Sequence, residues 1–548
     1  MSIDDPHIQR RLVLALAATL SSDTHAVAVL ETHISYVLLT GTYAYKIKKA
    51  VKLPFLDFST LPLRKRYCDE ELRLNLRLAA TLYLDVVPIT GPARRPSIGG
   101  DGRVLDYAVR MREFAQEALL SKIIERNELS ASEVDALACN IADFHARAAA
   151  ATAATAWGAP EGILSLALAN FAEILPLVHD QAPRDALHRL RLWTEDEYRQ
   201  VHAVLERRRH DGAIRECHGD LHLDNIARID GELAVFDCLE FNPSMRWIDR
   251  MSEVAFTMMD FERHGRGDLA YRYLCSYLEC TGDYAGVEVL RFYLVYRAMV
   301  RAKVACLRAA QMTPPDARAA LDDEFNAHLL LAASYVTARR PAIVVMHGYS
   351  GSGKTTLSQA LLERTPAVRI RTDVERKRLA GLAANARSGS SVDGGLYANG
   401  VTHRTYQRVL ACAQALVSGG FTAIVDGAFL QRWQRDLFRD LAAKSDVPFV
   451  IVDCRAPETT LKVRLAARAS AGMNASEADA SVLDHQLRTS DELGRDELPF
   501  TLAFDHQSSS AAPFARVSSM LADRILPGTK TSLSAADPPL HVASPHSR

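Results

Sequence analysis

The chain has 548 residues, enough for about three or four compact units. Lys and Arg total 65 against 66 Asp and Glu, a formal charge of −1, which argues against a nucleic-acid coat protein or a polybasic membrane binder. Apolar residues make up 48% and charged residues 24%, ordinary globular values that exclude a wholly disordered, collagenous or coiled-coil chain.

The first predicted element is a helix over 7–20. Arg10-Arg11 before Leu12–Leu20 has the look of a short export signal, but Asp4 and Asp5 stand where a signal carries positive charge, so an amphipathic helix is the preferred reading. Three strands follow, Ala26–Leu30, Ile34–Leu39 and Tyr43–Lys49, with Gly41-Thr42 as a hairpin turn. Helical spacing then runs over Leu61–Leu82. From about Glu113 to Tyr335 the pattern is mostly helical, interrupted by Ile226–Ile229 and Leu233–Phe236 around the turn dipeptide Asp230-Gly231. The Ala-rich stretch Ala146–Ala156 reads as a helix end and loop. Beyond Pro341, short apolar runs alternate with helices: Ala342–His347, Ala367–Ile370, Ala423–Val425, Phe449–Val452 and Thr501–Phe504, the signature of a parallel sheet covered by helices. Residues from about 526 are rich in Pro, Ser, Thr and Ala and are expected to be a disordered tail. No apolar run reaches the roughly 18 residues of a membrane span. The nine cysteines are scattered, with no C-x-x-C pair, and are expected to be reduced thiols.

Two stretches carry chemistry. Cys217-His218-Gly219-Asp220-Leu221-His222-Leu223-Asp224-Asn225 precedes the Asp230-Gly231 hairpin, whose second strand ends at Asp237. Phosphoryl transfer needs a carboxylate to orient the attacking hydroxyl and take its proton, and oxygen ligands for Mg²⁺. Asp220 suits the first role; Asn225 and Asp237 suit the second. The second stretch, Gly348-Tyr349-Ser350-Gly351-Ser352-Gly353-Lys354-Thr355, fits G-x-x-x-x-G-K-[ST] in full and lies between an apolar strand and a helix. Its backbone N–H groups, from Gly348, Ser350, Gly351, Ser352 and Gly353 on to Thr355 and Thr356 at the helix start, would cradle phosphates. Lys354 would reach the β/γ-phosphates, and the Thr355 hydroxyl would hold Mg²⁺. Downstream, Asp373 is a candidate base, with Arg376, Lys377 and Arg378 nearby for an anionic acceptor. Asp426, at a strand end, is a Walker-B-like partner for Mg²⁺. Arg464 and Arg468 share a helix face and are candidates for a lid over the phosphates.

The spacing Asp220-x4-Asn225 matches protein-kinase catalytic loops, and His-Gly-Asp-Leu-His-x-x-Asn is closer still to the aminoglycoside phosphotransferase group. Residues 25–330 resemble that family, which implies a small β-rich lobe, a helical lobe and the roles just given for Asp220, Asn225 and Asp237. The resemblance further implies a third-strand lysine paired with a helix glutamate. Lys46 and Lys48 share one strand face; Lys46 is preferred, with Glu71 as partner and Glu70 as second choice. The usual Gly-rich hairpin over the phosphates is missing, since Glu31-Thr32-His33 joins the first strands; Thr32 and Ser35 are candidates to replace its contacts. His218 and His222 read as braces of the loop in preference to metal ligands, Asp249 as its support, and Asp260 and Glu262 as a solvated helix face in preference to contacts for a cationic substrate. Residues 341–525 resemble small P-loop kinases of the gluconate kinase, polynucleotide kinase and zeta-toxin type, and not a mechanical AAA+ ATPase.

The expected architecture is therefore α/β and α+β: a protein-kinase-like two-lobed domain over 1–338, a P-loop parallel-sheet α/β kinase domain over 339–525, and a tail over 526–548. The expected activity is ATP- and Mg²⁺-dependent transfer of phosphate, at each of two sites, to a hydroxyl of a small polar molecule in the cytoplasm, with no membrane partner. A nucleotide or nucleic-acid end at the P-loop module is the alternative, supported locally by Arg371, Arg376, Lys377 and Arg378 and opposed by the balanced charge. A non-catalytic, ATP-binding role for one module is the other.

Overall fold

The computed structural model describes residues 4–22, 26–53, 56–152, 155–312, 315–337, 340–384, 386, 398–471 and 479–505. The expected tail lies outside the described residues. Helix α1 (Pro6–Leu20) is capped by Asp5, whose side chain accepts from the backbone of His7 and Ile8. Its buried face packs Val13 and Leu16 on Tyr36, Leu38 and Ile47 of the first sheet.

That sheet has six antiparallel strands. β1 (Ala28–Glu31), β2 (Ser35–Leu39) and β3 (Tyr43–Lys48) are joined by the anticipated turns. A two-residue pair, β4 (Lys52–Leu53) and β5 (Leu56–Asp57), leads to α2 (Leu61–Asn75). The sheet is completed by β6 (Tyr83–Thr90), β7 (Ser97–Ile98) and β8 (Val104–Arg112), in the order β1-β2-β3-β8-β6-β7. Helix α2 therefore stops short of the expected Leu82. Asn75 ends it: its amide donates to the Glu71 carbonyl at 2.8 Å, and its side-chain oxygen accepts from Cys238 N at 3.0 Å. Strands β6 and β8, not foreseen in the sequence, carry charges on their outer face, where Arg110 pairs with Asp85 at 2.6 Å.

The second lobe is helical: α3 (Leu120–Glu125), α4 (Ala131–Arg147), α5 (Pro160–Ile174), α6 (Gln181–His210), α7 (Arg250–Arg263), α8 (Gly267–Thr281), α9 (Leu290–Gln311) and α10 (Pro315–Val336). Between α6 and α7, β9 (Ile214–Glu216) pairs antiparallel with β12 (Trp247–Asp249), a second interruption of the helical pattern. Inside that frame, β10 (Ile226–Ile229) and β11 (Glu232–Val235) form the expected hairpin. Asp230 and Gly231 have φ of +53° and +86°, as a two-residue mirror turn requires. The reduced-thiol expectation fails at one pair: Cys139 of α4 and Cys280 of α8 form a disulfide, separated by 141 residues that leave no spacing signal. The other seven cysteines are free and buried.

The last part has five parallel strands: β13 (Ile343–His347), β14 (Ala367–Arg371), β15 (Thr422–Asp426), β16 (Phe449–Arg455) and β17 (Thr501–Asp505), in the order β14-β15-β13-β16-β17. They alternate with α11 (Lys354–Arg364), α12 (Thr372–Leu379), α13 (Asn399–Ser418), α14 (Arg432–Lys444), α15 (Glu458–Ala471) and α16 (Ala480–Thr489). A single apolar core runs from Leu120 in the helical lobe through α8 and α9 to Phe504 of the parallel sheet. Among the described residues no helix is long and apolar enough to cross a membrane.

Candidate active sites

The first site lies between the two lobes. Lys46 on β3 reaches Glu71 of α2 at 2.9 Å and also contacts Asp237. Lys48, two residues on and so on the same strand face, binds the other Glu71 oxygen at 2.7 Å and also contacts Glu240. The sequence offered Lys46 or Lys48; in the structure both lysines converge on Glu71. Burial disfavours every charge here. The lysines nevertheless hold the Glu71 carboxyl down at about 2. Asp237 and Glu71 carry Lys46 well above its ordinary value. Glu240 goes the other way: burial raises it, against the pull of Lys48. Glu70, the second choice, pairs with Arg73 and Arg246 instead, at 2.8 and 2.7 Å.

The loop 217–225 runs from β9 to β10 and is held from behind by α7. Glu253, wholly buried, accepts from His218 N at 3.1 Å and Gly219 N at 2.7 Å, and contacts His145 Nε2 at 2.8 Å. Burial opposes its ionisation, yet His145 and His218 and the Gly219 amide hold it at about 2. Gly219 (φ +91°) has no room for a side chain, since a Cβ would lie 2.9 Å from the Met245 carbonyl oxygen. Asp260 fixes the far end of the loop, accepting from Leu223 N at 2.8 Å. Asp260 is thus buried, and Glu262 accepts from the Tyr335 hydroxyl, which corrects the expectation of a solvated face. Asp249 clamps Arg208 with two bonds of 2.7 Å and caps α7. Thr32 bonds within its own turn, to Ser35 O at 3.1 Å, so its hydroxyl does not project as a phosphate contact.

Within the loop, the Asn225 amide donates to Asp220 O at 2.8 Å and to Asp220 Oδ2 at 3.3 Å, leaving its side-chain oxygen for a cation. Phe236 N donates to Asn225 O at 2.9 Å, which brings Asp237 beside Asn225. Asp237 has φ +65°, a strained conformation for a non-glycine residue, and its side chain is 40% exposed. On the other side of Asp220, His222 Nε2 lies 3.4 Å from Oδ2, and Arg301 lies 3.3 Å from that nitrogen. Burial works against the Asp220 anion, but His222 and Arg301 hold the carboxyl well below the usual range. His218 braces the loop through Phe236 O at 2.8 Å.

The second site sits at the carboxyl edge of the parallel sheet, where such sheets bind ligands. Gly348, Gly351 and Gly353 have φ of +132°, +86° and +96°. A Cβ on Gly348 would lie 2.4 Å from the Cys454 carbonyl oxygen. Lys354 donates to Gly348 O at 2.7 Å and Tyr349 O at 2.8 Å, folding over its own loop. Thr355 and Thr356 are exposed at the start of α11. The Ser350 amide donates to Gln486 of α16 at 2.9 Å, a contact the sequence did not signal. Ser352 Oγ is buried without a partner among the described residues. Asp426, buried at the end of β15, accepts from Ser358 of α11 at 3.4 Å. Asp373 opens α12 beside it, with Thr372 bonded to Asp426 O at 3.2 Å. Arg464 reaches Gly351 O at 3.3 Å; the Arg468 side chain lies outside the described residues. Arg371 and Arg378 point to the first domain, bonding the Glu279 carboxylate and the Glu279 backbone carbonyl, which removes both from the expected acceptor set.

These two folds define a chain of two kinase-type domains. The phosphotransferase enzyme family matches residues 58–293, and an AAA domain family matches 343–493. An uncharacterized protein of Mycobacterium tuberculosis H37Rv is 31% identical over 462 residues, spanning 84% of this chain and 90% of its own length. A Mycobacterium bovis protein, also called uncharacterized, matches to the same extent. The chain belongs to this family, in which a phosphotransferase-family domain is followed by a P-loop kinase domain. A sugar kinase from Janibacter sp. covers 34% of this chain and 96% of its own at 21% identity (TM-score 0.27). A choline/ethanolamine kinase family protein from Mesorhizobium loti covers 60% of this chain and 100% of its own at 13% identity (TM-score 0.36).

Proposed function

We propose that the chain is an ATP- and Mg²⁺-dependent tandem phosphotransferase of the cytoplasm, each domain passing the γ-phosphate of ATP to a hydroxyl of a small polar molecule. The observation that carries this reading is the gathering of Asp220, Asn225, Asp237, Lys46 and Glu71 from four separate segments into one cleft. The donor set suits a hard cation: an amide oxygen and an exposed carboxylate in the first site, a hydroxyl and a carboxylate in the second. Magnesium, when bound, neutralises triphosphate charge.

In the first domain, Lys46 would bind the phosphates, held in place by Glu71. Asp220 is kept ionised, so it can orient the acceptor hydroxyl and accept its proton. Asn225 and Asp237 would hold the metal. In the second domain, the loop amides and Lys354 would bind the phosphates, Thr355 and Asp426 would hold the metal, Arg464 would close over the loop, and Asp373 would act on the acceptor hydroxyl. A nucleic-acid acceptor is disfavoured, because two of its four supporting basic residues bond the first domain.

The test is a screen of sugars, nucleosides, aminoglycosides and other metabolites with γ-labelled ATP, using Asp220→Ala and Lys354→Ala as paired controls. Each variant should abolish labelling of one acceptor class and spare the other. Labelling that survives both substitutions refutes the proposal.

A further inference from the structure

The end of α8 is the meeting point of the two domains. Its last carbonyls carry the negative pole of the helix and have no partners within it. The second domain supplies those partners. Arg378 donates to the Glu279 carbonyl and to Cys280 O at 3.3 Å, and Arg408 donates to Gly282 O at 2.7 Å. Gly282 is left-handed (φ +71°), and a Cβ there would lie 2.7 Å from Arg378 Nε. The Glu279 carboxylate meanwhile binds Arg369 at 2.8 Å and Arg371 at 3.5 Å.

These arginines surround one element. Arg369 and Arg371 are alternate residues of β14 on one face, and β14 runs directly into α12. Arg378 is on α12 itself and Arg408 on α13, and both bind Glu375, wholly buried in α12, at 3.0 Å. Helix α12 is only eight residues long and has no side-chain cap at its start, so it is not self-sustaining. What holds it is α13, packed along it with Arg408 bound to Glu375, together with the Thr372–Asp426 bond on the sheet side and the Arg378 bond to the end of α8. Asp373 lies in its first turn.

We propose that Glu279 is a positioning residue of the second site: the first domain, through the end of α8, sets α12 and therefore Asp373 against the phosphate loop. This rests on the reading of Asp373 as the acceptor-side base. Loss of the Glu279 charge leaves Arg369, buried, and Arg371, half-buried, side by side without the carboxylate they share. Strand β14 and α12 then shift, while the phosphate loop, built on β13 and α11, keeps its place. Displacement of about 1 Å at a reacting group is enough for a large loss of rate.

The experiment uses the full chain carrying Asp220→Asn to silence the first site, with Lys354→Ala as the blank, and reads Mg-ATP turnover well below each variant's melting temperature. Glu279→Gln should lower kcat about tenfold or more while KM for ATP stays within about twofold. Arg369→Gln, which removes the 2.8 Å partner of Glu279 from the β14 side, should act in the same direction and carries the test if Glu279→Gln does not fold. Asp373→Asn is run alongside. If Asp373→Asn abolishes turnover and both Glu279→Gln and Arg369→Gln leave kcat at its starting value, the positioning role is overturned and the base stands. A rise in KM with unchanged kcat overturns it equally. If Asp373→Asn is itself without effect, the base reading falls and the positioning role falls with it.

Discussion

The two candidate sites meet the same demand, a concentrated negative charge to be held next to a hydroxyl, with different materials. In the first, side chains do the work: two lysines and three carboxylates converge from three segments, most of them buried and each dependent on the others. In the second, the backbone does much of it: three glycines in positive φ shape the loop, and one lysine folds over it. A network of buried charges fails when one member is removed, because the remaining charges lose their partners. A backbone cradle tolerates changes of charge around it and fails when a side chain intrudes.

The substitutions that test this contrast differ in size. Asp220→Asn should lower first-site turnover by about 10²–10⁴-fold with ATP-analogue binding intact, measured by labelled transfer and calorimetry. Lys354→Ala should remove one of two ATP-analogue equivalents per chain and lower second-site turnover by about 10²–10³-fold. Glu71→Gln leaves Lys46 and Lys48 without their shared carboxylate and should destabilise the fold by about 3–5 kcal/mol in denaturant titrations. Its pH dependence has a definite sign. Glu71 is depressed from the ordinary 4.5 to about 2, so its contribution is present above about pH 4.5 and is lost as pH falls towards 2. The variant should show a flatter stability profile across that window. The smallest effect belongs to Gly231→Ala, at φ +86° with nothing within 4 Å of the added Cβ: about 1–2 kcal/mol from backbone conformation alone. Gly348→Ala, where a Cβ would meet a carbonyl oxygen at 2.4 Å, should instead abolish nucleotide binding at the second site.

Legibility in the sequence followed the distance along the chain between interacting groups. The phosphate loop is eight consecutive residues, and both its position and its flanking elements could be read directly. The Asp230-Gly231 hairpin was equally local. Lys46 and Lys48 were visible as two residues on one face, but nothing local shows that Glu71 binds both. Glu253 and His145, which brace the loop 217–225, are 108 residues apart and carry no motif. Arg371 and Arg378 looked like acceptor ligands because their partner, Glu279, lies about 90 residues upstream on a helix of the other domain. Strands β6 and β8 were missed because Pro88 interrupts one and Asp106, buried against Arg64, interrupts the other.

The shared apolar interior has a consequence for how the molecule can be divided. A Cβ on Gly419 of the second domain would lie 2.5 Å from the carbonyl oxygen of Val287 in the first, so the two are packed at backbone contact. Scission between Val336 and Ile343 would therefore uncover an oily wall on each fragment, and separately expressed halves should aggregate. The intact polypeptide should unfold on heating as one calorimetric peak.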